Sequence, residues 1–106
     1  MADYGQIDEC LQVLADSTRR EVVSLLSTGA MRAGELAHAA GVTAPSMSRH
    51  LRVMLAAGLV DDERSVTDAR VRLFFLRRDP LEVVRDWLGV VIDGRSWTPG
   101  EESATR

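Results

Sequence analysis

The chain has 106 residues, which is enough for one domain with a real core and not for two. Its single cysteine, Cys10, excludes an internal disulfide, and the absence of any 18-residue apolar run or basic-then-apolar leader predicts a cytoplasmic protein with no membrane span. The net charge of −3 is the wrong sign for indiscriminate nucleic-acid binding, but it is unevenly spread. Residues 1–40 carry three arginines against six acids, residues 41–78 seven against four, and residues 79–106 three against six. All 13 basic residues are arginine.

Tyr4, Ile7, Leu11 and Leu14 follow helical spacing, with Cys10 and Val13 beside them. Asp16 is placed to cap a second helix from Ser17 to about Ser27, with Val22, Leu25 and Leu26 inward and Thr28-Gly29 ending it. Arg19 and Arg20 near its start oppose the helix dipole, and either phosphate or a neighbouring acid would satisfy them.

A third helix, rich in small residues, turns Leu36, Ala37 and Ala40 inward. Gly41 then stands where a helix ends in the left-handed conformation, and Val42 plugs the turn. Thr43 caps the next helix and Pro45 is tolerated in its first turn, so residues 44–57 form its body. At about 100° per residue, Met47, Leu51, Met54 and Gly58 share an inward stripe. Pro45, Ser48, Arg49 and Arg52 lie opposite, Ser46 and Val53 at one margin, and His50 near the border of the stripe. A short helix, a glycine turn and a second helix with a Ser/Arg outer face make a helix-turn-helix. Arginine binds guanine O6 and N7 with two hydrogen bonds, and short hydroxyls bond bases or phosphates.

Leu59 to Arg64 and Val71 to Leu76 read as two strands joined by the polar loop 65–70, a wing over residues 61–74. Arg64, Arg70 and Arg72 are placed to reach phosphate or a minor groove, or else to pair with Asp61, Asp62, Glu63 and Asp68. Asp79 as cap and Pro80 at the first position open a last helix to about Ile92. Its apolar rows, Leu81-Val84-Leu88-Val91 and Val83-Trp87-Val90, are too many for one face. A homodimer is expected to cover them, with Tyr4, Ile7 and Leu11 joining Leu81, Val84, Trp87, Leu88 and Val91. Residues 93–106 read as a flexible tail beyond a 1–92 domain, with Trp97 able to dock back.

Four stretches together resemble the ArsR-type winged-helix transcriptional repressors of bacteria. They are Leu14-Ala15-Asp16-Ser17-Thr18-Arg19-Arg20, Gly34-Glu35-Leu36-Ala37, Ser46-Met47-Ser48-Arg49-His50-Leu51 and Ala57-Gly58-Leu59-Val60. The resemblance spans about residues 7–92. It implies a mainly α fold of order α-α-α-α-β-β-α, dimeric through its first and last helices, that binds double-stranded DNA at an inverted repeat. Base contacts fall at Ala44, Pro45, Ser48 and Arg49, with Thr43, Ser46, His50, Arg52 and the wing arginines in support. No cofactor or metal is expected, because metal-sensing relatives carry Cys-x-Cys or Asp/His sets that this chain lacks. Cys10, His38 and His50 are too few and scattered for a metal site. Cys10 is expected half-buried, with redox pairing across the dimer axis the less favoured reading. A small effector between the first and last helices near Trp87 is compatible but unidentified. Leu55 and Phe75, apolar where relatives are polar, keep open a second reading, a protein-interaction module without specific DNA binding. An enzyme is not expected: the chain has no nucleophile-base pair and no phosphate loop.

Overall fold

Side-chain caps and left-handed glycines divide the chain into its elements. The computed structural model describes residues 4–96. It contains α1 (Gly5–Leu14), α2 (Ser17–Leu26), α3 (Ala33–Ala40), α4 (Ala44–Ala56), β1 (Val60–Arg64), β2 (Arg72–Leu76) and α5 (Asp79–Ile92). The Asp16 carboxylate accepts from the Arg19 N–H at 3.0 Å and starts α2. The Thr43 hydroxyl accepts from the Ser46 N–H at 3.2 Å and starts α4. Each satisfies an amide that the helix itself cannot.

Gly41 (φ +71°) ends α3, with the Val42 N–H donating to Ala37 and the Gly41 N–H to His38. Gly58 (φ +77°) ends α4 the same way, through Leu59 to Met54 and Gly58 to Leu55. The expected inward stripe of α4 therefore stops at Met54: Gly58 is exposed and serves the backbone turn. The start of α5 also departs from expectation. Asp79 is its first helical residue and not its cap; the cap position is Arg78, with no side-chain cap bond, and Pro80 is buried in the first turn.

The strands form an antiparallel pair with Val60 opposite Leu76 and Arg64 opposite Arg72. Phe74 exchanges two further backbone bonds with Met31, of 3.0 and 2.8 Å, which pins the segment before α3 to the outer edge of β2. Arg78 donates from Nη2 to the Ser27 carbonyl at 2.9 Å, tying the start of α5 to the end of α2.

The core gathers Val22 and Leu26 of α2, Leu36 of α3, Met47 and Met54 of α4, and Leu59 just before β1. On α1 the buried row is Ile7, Cys10 and Val13, because α2 and α5 close over the middle of its apolar arc. Tyr4 and Leu11 stay about two-fifths exposed. Cys10 is wholly buried, not half-buried, and burial pushes its thiol pKa up; it has no surface with which to pair across a dimer axis. Ile7 and Val84, expected at an interface between protomers, are buried within this one. Leu81 and Trp87 are half-buried against the core, while Leu88, Val91 and Ile92 are exposed. No helix of the described residues is long and apolar enough to cross a membrane. Trp97 and most of the expected tail lie outside the described residues.

Candidate nucleic-acid interface

Burial of Met47, Leu51 and Met54 fixes the rotation of α4 about its axis, and so fixes what it presents to solvent. Ala44, Pro45, Ser48, Arg49 and Arg52 are all exposed along its outer side, with Thr43 at its head. Ser46 is half-buried. His50 turns away from this set: its Nδ1 lies 3.5 Å from Nη1 of Arg19.

Arg19 is a positioning residue whose role the residue pattern left open. Its Nε donates to the Val13 carbonyl at 2.9 Å and its Nη2 to the Gln12 carbonyl at 3.2 Å. Arg20 donates to the Leu14 carbonyl at 2.7 Å. Both cations thus sit on the negative end of α1, where the dipole favours them, though they head α2 in sequence. The cue was the break at Ala15-Asp16, which folds α2 back and brings its first turn beneath the last turn of α1. The Asp16 carboxyl is held below its ordinary pKa chiefly by the Arg19 N–H, with the Arg19 charge adding to it.

The wing arginines divide. Arg70 grips Asp68 with Nε and Nη2, each at 3.1 Å, and its own N–H also donates to that carboxylate. The side-chain bonds hold the Asp68 carboxyl below its usual range and push Arg70 up. Arg72 donates from Nε to Asp62, and its guanidinium lies 4.7 Å over the Phe74 ring. Arg77 pairs with Asp61 at 3.2 Å. Among the described residues Arg49, Arg52 and Arg64 have no acidic partner. The loop between the strands is closed by Ser65 N–H to Val71 and Val71 N–H to Asp68, both 2.9 Å. Val66 stands at its tip, fully exposed. Groups of three or more metal-ligating side chains do not occur among the described residues.

Residues 16–62, from the cap of α2 into β1, match the model of the bacterial regulatory protein family arsR. A crystallised ArsR family transcriptional regulator superposes with a TM-score of 0.73 at 30% identity, over 91% of this chain and all of that one. The chain belongs to the ArsR family. Its fold is the winged helix-turn-helix of these transcriptional regulators, with α3 and α4 as the helix pair and β1–β2 as the wing. The HTH-type transcriptional regulator Rv2034 of Mycobacterium tuberculosis is 42% identical over 67 residues, 63% of either chain. The transcriptional repressor SdpR of Bacillus subtilis is 33% identical over 58 residues, 55% of this chain and 64% of that one. This ArsR chain spans less than two thirds of the length of both relatives. At the level of fold alone it also matches the homodimeric winged helix-turn-helix DNA-binding domain of a Mycobacterium bovis protein, with a TM-score of 0.64 at 24% identity over 83% of this chain and 79% of that one.

Proposed function

We propose that this ArsR-family chain is a cytoplasmic, sequence-specific transcriptional repressor that binds an inverted-repeat operator as a homodimer and catalyses no reaction. The observation that carries the reading is the exposed row Ser48, Arg49 and Arg52 on a capped helix whose opposite side is wholly buried. Arg49 and Arg52, which pair with no acid among the described residues, lie in that row, inside the one segment of positive charge. Arg49 and Ser48 read base edges in the major groove, next to Ala44 and Pro45, while Arg52 and Arg64 contact phosphate. Arg70 and Arg72 contribute less, being already held by Asp68 and Asp62.

The homodimer forms through α1 and α5. Tyr4, Leu11, Leu88 and Val91 leave an apolar surface there that a second copy covers, with Leu81 and Trp87 at its margin. A two-fold pair of recognition helices then meets two half-sites. Residues 1–92 act as the DNA-binding and dimerisation unit and residues 93–106 as a tail. The acidic flanks on either side of the basic segment repel phosphate and suppress non-specific binding.

The test is fluorescence anisotropy of the purified protein against its own upstream DNA and a scrambled duplex across a salt series. Tight, sequence-dependent binding of two protomers per site supports the reading. Weak, equal binding to both, followed by no enriched fragment in a genome-wide selection, overturns it in favour of a protein-interaction module.

A further inference from the structure

Between α4 and β2 runs a groove of about 280 Å³. Ser48, Arg52 and Arg72 line it with the half-buried Ala33 and Leu55, above the buried Leu51 and Phe74. The two arginines differ in state. Arg72 is anchored, its Nε engaged by Asp62 and its plane over the Phe74 ring, so its charge is already balanced. Arg52 has no acidic partner among the described residues and leaves one uncompensated positive charge beside Ala33 and Leu55. Small-molecule sites are usually concave, with an apolar lining and few convergent polar groups. This groove has a lining about half polar and half apolar and lies just below their usual size of about 300–1,000 Å³.

The occupant follows from that combination. One free guanidinium selects a single anionic group, and its planar fork matches a carboxylate with two hydrogen bonds. The half-buried aliphatic side chains of Ala33 and Leu55 favour a hydrocarbon body next to that group, and the volume limits it to one ring or a short chain. A bare phosphate would meet the charge and leave those side chains uncovered. We propose that this groove binds a small organic carboxylate, its carboxylate on Arg52 and its apolar body on Ala33 and Leu55. Because Ser48 and Arg52 also belong to the outer face of α4, the bound anion withdraws them from DNA. That second consequence rests on the DNA-binding reading; the binding itself does not.

The experiment titrates the full chain, without DNA and at constant ionic strength, with benzoate, benzamide and inorganic phosphate in turn, following backbone amide chemical shifts. The expected result is saturable, millimolar or tighter binding of benzoate alone, with shifts at Ser48, Arg52, Leu55 and Arg72. Arg52→Gln and Leu55→Gln should each weaken it at least tenfold while the rest of the spectrum keeps its dispersion. Equal binding of benzamide removes the role of charge, and equal binding of phosphate makes the groove a plain phosphate seat; either overturns the proposal. So do shifts centred elsewhere, such as around Trp87, or no saturation at millimolar benzoate. Saturating benzoate should also raise the Kd for operator DNA at least tenfold. Unchanged DNA affinity with benzoate bound would overturn the competition, whereas absent DNA binding with benzoate bound would overturn the repressor reading and leave the site standing.

Discussion

Nη1 of Arg19 lies 3.5 Å from Nδ1 of His50, so one guanidinium joins the last turn of α1 to the recognition helix. The helix proposed to bind the partner protomer and the helix proposed to bind DNA are thereby held in one fixed relation. Hydrogen bonds to charged groups are worth about 1.5–3 kcal/mol each, less what water recovers. Arg19→Ala should therefore lower stability by about 1–3 kcal/mol. Arg19→Lys should not restore it, since one ammonium cannot span two carbonyls and an imidazole. Thermal melting checks this, and a wild-type Tm for Arg19→Ala would remove the positioning role.

The proposed phosphate contact of Arg64 and the pairing of Arg70 with Asp68 predict different effects on the salt dependence of DNA binding. Each phosphate neutralised contributes about 0.9 to the slope of log K against log salt. Arg64→Ala should reduce the slope by about that amount per protomer. Arg70→Ala should change it less, and Asp68→Asn should steepen it by freeing Arg70. Anisotropy over a salt series separates these, and equal flattening by Arg64→Ala and Arg70→Ala would show that the pairing gives way on DNA.

Acid should unfold the protein partly through Asp16. Its folded pKa is depressed, chiefly by the Arg19 N–H, so its contribution to stability is fully present above the unfolded value of about 3.9. The contribution is lost as pH falls from there through the folded pKa. Glu35, lowered by the Arg32 N–H, and Asp68, lowered by Arg70, act with the same sign. Asp16→Asn keeps a capping oxygen and removes the titration, so the acid limb of a stability-versus-pH curve should flatten in that variant. An unchanged limb would assign acid sensitivity to other groups.

Leu36 has no exposed surface and joins α3 to the rest of the core. Leu36→Ala should cost about 2–5 kcal/mol in denaturant unfolding. Thr43→Ala, which removes only the cap of α4, should cost about 1 kcal/mol. If Thr43→Ala proved as damaging as Leu36→Ala, the cap would be holding more than the first turn.

Local chemistry made most of this fold legible. Asp16, Gly41 and Thr43 act within four residues of their own positions, so the starts of α2 and α4 and the end of α3 could be read from the residues alone. The run of β-branched, aromatic and aliphatic residues in Val71 to Leu76 likewise announced the wing. What failed depended on distant neighbours. Ile7, Cys10 and Val13 face inward because α2 and α5 lie on that side of α1, and a helical wheel cannot say which part of a wide apolar arc is covered. The fates of Arg19, Arg70 and Arg72 were open because each had several acids or carbonyls within reach, and only the folded geometry chose among them. Nothing in Ala30-Met31-Arg32 marks the bridge to Phe74, which is a single paired residue without periodicity.

The central claim, that Arg49 reads sequence, is tested most directly by comparing wild type and Arg49→Ala on an operator duplex and on its scrambled counterpart at one salt concentration. Losing a bidentate base contact costs about 1–3 kcal/mol of discrimination, roughly 5- to 150-fold. The account predicts that Arg49→Ala loses affinity for the operator by that factor and little for the scrambled duplex. An equal ratio of the two affinities in both proteins would contradict it.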